Sequence, residues 1–163
     1  MSKRSSSIIK AGLVAGTLDI CAAIISVYAR SGKGPEVIFR YISRGAFGDD
    51  ARTGGMAYVV AGLLFHYIIA FAFTILFFML YPKIRQWASK YIIATGLVYG
   101  AVVWCIMNLI IVPSSRITPA PPTVDSVIRE MLILMCCIGL PIAIIAKKHY
   151  HERDHSTIRS HHL

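Results

Sequence analysis

The sequence predicts an all-α, polytopic membrane protein with four transmembrane helices and one short amphipathic helix outside the hydrocarbon core. Its mean hydropathy is +0.62, and 56% of its residues are hydrophobic while only 15% are charged. A soluble domain carries about a quarter charged residues. The charged residues here are also concentrated between four long apolar runs. Because about 20 apolar residues cross a bilayer core, where the backbone must satisfy its own hydrogen bonds, each run is predicted to be a helix.

The predicted spans cover about residues 8–29, 54–80, 91–112 and 127–146. Residues 1–146 are therefore predicted to form one four-helix transmembrane domain, and residues 147–163 a basic, His-rich cytoplasmic tail. The tail histidines are irregularly spaced among charged residues, so a solvated, partly disordered tail is favoured over a metal site. The first run begins with basic residues, as signal peptides do, but its length and the embedded Asp19 favour a retained span.

The distribution of lysine and arginine predicts the orientation. Ten of the 17 basic residues flank the spans on the side of the two termini, and seven lie on the opposite side. The positive-inside rule therefore predicts a multi-pass protein of the cell membrane with both termini in the cytoplasm.

Two external segments connect the spans. Residues 35–48 place apolar side chains on one helical face and charged side chains on the other, which predicts an amphipathic helix lying in the membrane interface. A lid over a cavity is the alternative interpretation of the same segment. Residues 113–123 contain four prolines and are predicted to be a stiff spacer.

Four polar residues within the spans form the candidate site. An ionisable side chain in a transmembrane helix is expected to face the bundle interior and to have a partner. Asp19 and His66 each lie about ten residues from the external ends of consecutive spans, or about 15 Å deep, so they are predicted to pair. Asn108 and Glu130 lie nearer the external surface. The pair is interpreted as a structural lock or latch, with a proton relay as the alternative.

Small residues predict how the helices pack. Gly12 and Gly16 precede Asp19 on one face of the first span as a GxxxG pair, a spacing that lets another helix approach closely. Gly62 shares a face with His66 in the second span, and Gly96 and Gly100 form a similar pair in the third. Pro141 is expected to kink the fourth span.

The sequence also argues against several classes of function. It contains no glycine-rich phosphate loop, HExxH motif, nucleophile elbow or paired-carboxylate site, so we predict no catalytic residues and no cofactor. The four cysteines, all within apolar runs, lack zinc-binding spacing, and no metal is predicted. No basic stripe with interleaved aromatics indicates a nucleic-acid partner. The expected partner is the lipid bilayer, and a homo-oligomer or another membrane protein is a further candidate partner.

The chain resembles a group of small, functionally uncharacterised bacterial inner-membrane proteins with four helices. The matching segments are GLVAGTLD (12–19), GGMAYVVAGLLFHYIIA (54–70), YGAVVWCIMNLIIVPSS (99–115) and GLPIA (139–143). The resemblance implies a location in the bacterial cytoplasmic membrane, and it implies that Asp19, His66, Asn108 and Pro113 belong to the family's pattern. It implies no particular activity.

Three functional hypotheses follow from these observations. The first is a non-enzymatic membrane component or helper subunit, because packing faces are abundant and little of the chain lies outside the membrane. The second is a small oligomeric transporter or proton-linked channel that uses Asp19 and His66. The third and weaker hypothesis is a lipid-modifying membrane enzyme, which a cavity open laterally to lipid would favour and a dry, closed bundle would disfavour.

Overall fold

The computed structural model describes residues 3–118 and 121–160, and within these ranges every regular element is helical. The predicted all-α fold is confirmed, because four helical spans are long and apolar enough to cross a membrane. The first span is α1 (Lys3–Ser31) and the second is α4 (Met56–Lys90). Between them lie the amphipathic helix α2 (Glu36–Phe47) and the single turn α3 (Asp50–Thr53).

The third and fourth spans are each interrupted by a wider helical turn. The third span comprises α5 (Ile92–Ile106), the π-helical segment π1 (Met107–Ile111) and the short α6 (Val112–Ser114). The fourth comprises α7 (Val124–Leu134), π2 (Met135–Gly139) and α8 (Leu140–Ser160). We call the side that carries α2 and residues 115–123 the loop side, and the opposite side the termini side.

The two π segments have a common cause in the prolines that follow them. Pro113 and Pro141 lack an N–H, and each ring would clash with the carbonyl one turn earlier in a regular α-helix. In the structure the residue just before each proline donates its N–H five residues back, from Val112 to Met107 and from Leu140 to Met135. These widened turns accommodate the rings, and the structure shows a local π-helix just before Pro141, where a kink was predicted.

The helices pack tightly on the termini side. The buried core there consists of aromatic and small side chains from α1, α4, α5 and α8, and Phe77, Phe78 and Tyr81 of α4 are almost completely buried. Two tyrosine hydroxyls in this region donate to backbone carbonyls of α4: Tyr99 to Phe73 at 2.6 Å and Tyr150 to Phe78 at 2.8 Å. These bonds satisfy polar atoms that would otherwise lie unpaired in an apolar core.

Glycines set the closest approaches between helices. A Cβ added to Gly12 would lie 2.5 Å from the Phe71 ring, and one added to Gly16 would lie 3.1 Å from the Tyr67 ring, both on α4. The backbones of the third and fourth spans meet directly, because a Cβ on Gly139 would collide with the Gly96 carbonyl and lie 2.8 Å from the Gly100 nitrogen. In a bilayer the hydrophobic effect does not drive helices together, so their association depends on close contacts of this kind.

Two parts of the chain differ from the sequence prediction because helices continue past the expected span ends. α4 runs through Pro82 to Lys90, so the turn into the third span is made at Tyr91 alone. α8 continues to Ser160, and His149 and Tyr150 are buried against the core. The helix of the fourth span therefore extends into the predicted tail, whose residues 161–163 lie outside the described part of the chain.

We predict that Gly139→Ala lowers the free energy of unfolding in micelles by about 1–3 kcal/mol, because the added methyl group forces the two backbones apart. Gly55→Ala is the matched control, since a Cβ there meets nothing within 4 Å. Reversible denaturation followed by circular dichroism measures both. Equal stability of the two variants would contradict this view of the contact.

Candidate cavity between the helices

The helices diverge on the loop side and leave a cavity of about 690 Å³. Its floor is formed by four buried residues that separate it from the packed core: Ala70, Phe73, Val103 and Ile138. Both π segments border it, since Met107 and Asn108 of π1 and Ile138 of π2 are among its lining residues. The widened turns that accommodate the prolines therefore also shape the cavity wall.

The amphipathic helix α2 covers the cavity. Its apolar face, predicted to lie in the membrane interface, instead contributes Val37, Ile38 and Tyr41 to the lining. The helix contacts α4 closely, because a Cβ on Gly62 would collide with the Phe39 carbonyl. The amphipathic helix is therefore as predicted, and its position fits the alternative interpretation of this segment, a lid over a cavity.

Polar contacts hold α2 in place at several points along its length. The Arg40 guanidinium donates to the Gly54 carbonyl, and the Ser43 hydroxyl donates to the Tyr58 carbonyl. The Arg116 N–H donates to the Gly45 carbonyl at 3.2 Å, and Ile117 beside it is buried. The proline-rich segment thus does more than the predicted spacer would, since it ties the end of α2 to the third span.

The four predicted polar residues all line this cavity, although they are not all in contact. Asp19 of α1 and His66 of α4 lie deep in it, and Asn108 of π1 and Glu130 of α7 complete the set. The Asn108 amide donates to the Trp104 carbonyl at 3.1 Å, across the start of π1. Glu130 is exposed at the edge of the cavity, and it interacts electrostatically with Tyr41 of α2.

The relation between Asp19 and His66 differs from a direct pair. His66 is 8% exposed, and its Nε2 lies 2.8 Å from the Gly16 carbonyl oxygen. The carbonyl can only accept, so Nε2–H is the donor and, in the neutral ring, Nδ1 is an acceptor. The ring lies close enough to Asp19 to interact electrostatically, but no hydrogen bond or ion pair joins the two within the described residues. The lock between α1 and α4 is thus a hydrogen bond from the His66 side chain to the backbone of α1, rather than a bond to Asp19.

Sequence reasoning missed several lining residues. Trp104 lies one turn before Asn108, and its buried Nε1–H has no acceptor in the described part of the chain. Arg30 lines the loop end of the cavity and donates through Nε to the Ser26 carbonyl at 3.3 Å. Tyr41 reaches the cavity from α2. Burial, and after it the Glu130 carboxylate, raises the pKa of the Tyr41 phenol, so this group stays neutral near pH 7.

The cavity reaches the protein surface in two directions. Arg30 and Tyr41, which are exposed, mark an opening on the loop side. Ile68 of the second span and Ile111 of the third also line the cavity and are exposed by 53% and 36%, which indicates a second, lateral opening. These two spans contact each other more sparsely than the other neighbouring pairs. A molecule dissolved in the bilayer could therefore enter between them.

The other candidate sites offer fewer functional groups. A second, shallower groove of about 470 Å³ follows a single face of the fourth span and includes the Asp125–Arg129 ion pair at 2.5 Å. It contains none of the predicted site residues. Among residues 3–118 and 121–160, no three His, Cys, Asp or Glu side chains are grouped in a way that would hold a metal ion.

Comparison of the chain with known proteins found no relative. No protein-family model matches the chain, and neither a curated protein nor a solved structure matches it. The fold is that of a multi-pass α-helical membrane protein with a covered cavity between its helices. The resemblance to small bacterial inner-membrane proteins stays a prediction.

We predict that His66→Phe lowers the free energy of unfolding by about 1 kcal/mol, because the bond from Nε2 to the Gly16 carbonyl is lost while the ring volume is kept. Tyr67→Phe is the matched control: its hydroxyl bonds Thr17 on the outward face of α1, 2.9 Å away, and the Thr17 hydroxyl can bond its own helix instead. Reversible unfolding in mixed micelles measures both. A larger loss for Tyr67→Phe would contradict the lock.

Proposed function

We propose that this protein is a non-enzymatic membrane component that binds a small amphiphilic molecule in the cavity beneath α2. The observation that carries the proposal is a cavity of about 690 Å³, a volume typical of ligand sites, with a mostly apolar lining and a few convergent polar groups. The lateral opening between Ile68 and Ile111 gives such a molecule a route from the bilayer.

Unused polar atoms around the cavity support a ligand with a polar group. Trp104 Nε1 is a buried donor with no acceptor, and Nδ1 of neutral His66 is an acceptor with no donor among the described residues. Asp19 and Glu130 add two carboxylates that accept no hydrogen bond and form no ion pair there. A buried donor without an acceptor, such as Trp104 Nε1–H, is rare in folded proteins because it carries a desolvation penalty. A bound molecule that supplies an acceptor would remove this penalty.

We further propose a location in the bacterial cytoplasmic membrane, with both termini in the cytoplasm. The basic residues are more numerous on the termini side than on the loop side, which supports this orientation. The cavity then opens toward the external face. Impermeant thiol reagents added to intact cells distinguish the two orientations, because they reach only the external side.

A proton-linked transporter built from the same site is the second candidate. The electrostatic contact between Asp19 and His66 favours it, since such residues form proton relays in membranes. Transport would also need the packed termini side to open. Substrate-driven proton flux in liposomes that is abolished by Asp19→Asn would replace the binding proposal with this one.

We predict that Ala23→Phe, which places a ring inside the cavity, abolishes binding of the neutral amphiphile N-phenyl-1-naphthylamine. Ala57→Phe is the matched control, because Ala57 faces outward on α4 and does not line the cavity. Equilibrium dialysis of purified protein against protein-free micelles measures the bound amount. Equal binding by the wild type and both variants would refute the proposal, and so would a wild type that binds neither this molecule nor a charged amphiphile of similar size.

A further inference from the structure

We propose that the molecule bound in this cavity is a lipophilic organic cation, with its positive group beside Asp19 and its apolar part against the floor and α2. This inference rests on the proposed binding function and names the ligand class. It is carried by the charges that line the cavity and by the apolar and aromatic side chains around them.

The charges favour a cation over an anion. Asp19 and Glu130 are the carboxylates of the lining, and neither has an ion-pair partner among the described residues. Arg30 is the only lysine or arginine in the described lining, and its Nε is engaged by the Ser26 carbonyl. It lies eleven residues after Asp19 on α1, about 16 Å along the helix axis. An anion at the depth of Asp19 would meet a carboxylate without a nearby cationic side chain.

The rest of the lining favours an organic cation over a metal ion. Calcium and magnesium require about six oxygen ligands, and no suitable group of His, Cys, Asp and Glu occurs within the described residues. The lining instead includes the aromatic side chains of Tyr41, Phe73 and Trp104, with Phe65 nearby on α4. Aromatic faces attract organic cations, most strongly when water is excluded. The cavity volume also exceeds what a metal ion needs.

Protons should compete with this cation. A carboxylate surrounded by apolar groups is stable when it is protonated or when a cation lies beside it, so the two states exclude each other at Asp19. His66 of α4 and Cys137 of π2 interact electrostatically with Asp19. The other titratable and charged groups of the described lining are Glu130 of α7, Tyr41 of α2 and Arg30 of α1. Binding is therefore expected to weaken as the pH falls.

The test compares two probes of nearly the same shape and opposite charge, tetraphenylphosphonium and tetraphenylborate. Equilibrium dialysis of the full-length protein in micelles at about pH 8 should show the phosphonium bound at least about tenfold more tightly than the borate. Its affinity should fall at about pH 5, and about tenfold or more in Asp19→Asn at pH 8. Asp125→Asn is the matched control, because this exposed carboxylate lies outside the cavity.

Each outcome decides between the two proposals. If N-phenyl-1-naphthylamine binds but the phosphonium binds no better than the borate, the cation inference is wrong and the binding function stands. If no probe binds, both are wrong. A preference for the phosphonium that is unchanged by pH would place the cation away from Asp19 and overturn the inference. This comparison uses the wild type alone, so it remains decisive if Asp19→Asn fails to fold.

Discussion

The contact between the backbones of the third and fourth spans at Gly96, Gly100 and Gly139 determines the shape of this bundle. Side chains cannot enter this contact, so the two spans meet tightly there. The π segments before Pro113 and Pro141 then widen the same helices toward the loop side. Close packing on the termini side and widened turns on the loop side produce a bundle that is solid at the first side and hollow at the second.

The polar groups follow the same division. On the termini side, the hydroxyls of Tyr99 and Tyr150 bond backbone carbonyls and complete a dry core. On the loop side, His66 uses one ring nitrogen to fix α4 against the Gly16 carbonyl, while Asp19 remains in the cavity without a direct partner. The hydrogen bond that joins α1 and α4 therefore leaves the Asp19 carboxylate available for a ligand. Structural and ligand-binding roles can coexist in neighbouring residues because they use different atoms.

Hydropathy predicted the spans because the bilayer admits few alternatives, and helical periodicity predicted the apolar face of α2. It did not predict what that face covers, because an interface and a cavity select the same pattern. The bond from His66 to a backbone carbonyl also has no sequence signal. The position of Trp104 in the cavity lining did have a sequence signal, because this residue lies one helical turn before Asn108. The extension of α8 was obscured by the charged residues around Tyr150, although that side chain continues the apolar face of Ile142 and Ala146.

Cysteine accessibility along α1 distinguishes a bundle with a hollow loop side and a closed termini side from a uniformly packed one. In a cysteine-free background, single cysteines replace Ala11, Ala15, Ala23 and Ser26, and a water-soluble thiol reagent is added to purified protein. Ala23 and Ser26 line the cavity, while Ala11 and Ala15 are fully buried. We expect rapid labelling at positions 23 and 26 and none at positions 11 and 15. Uniform labelling at all four positions, or labelling at none, would contradict it.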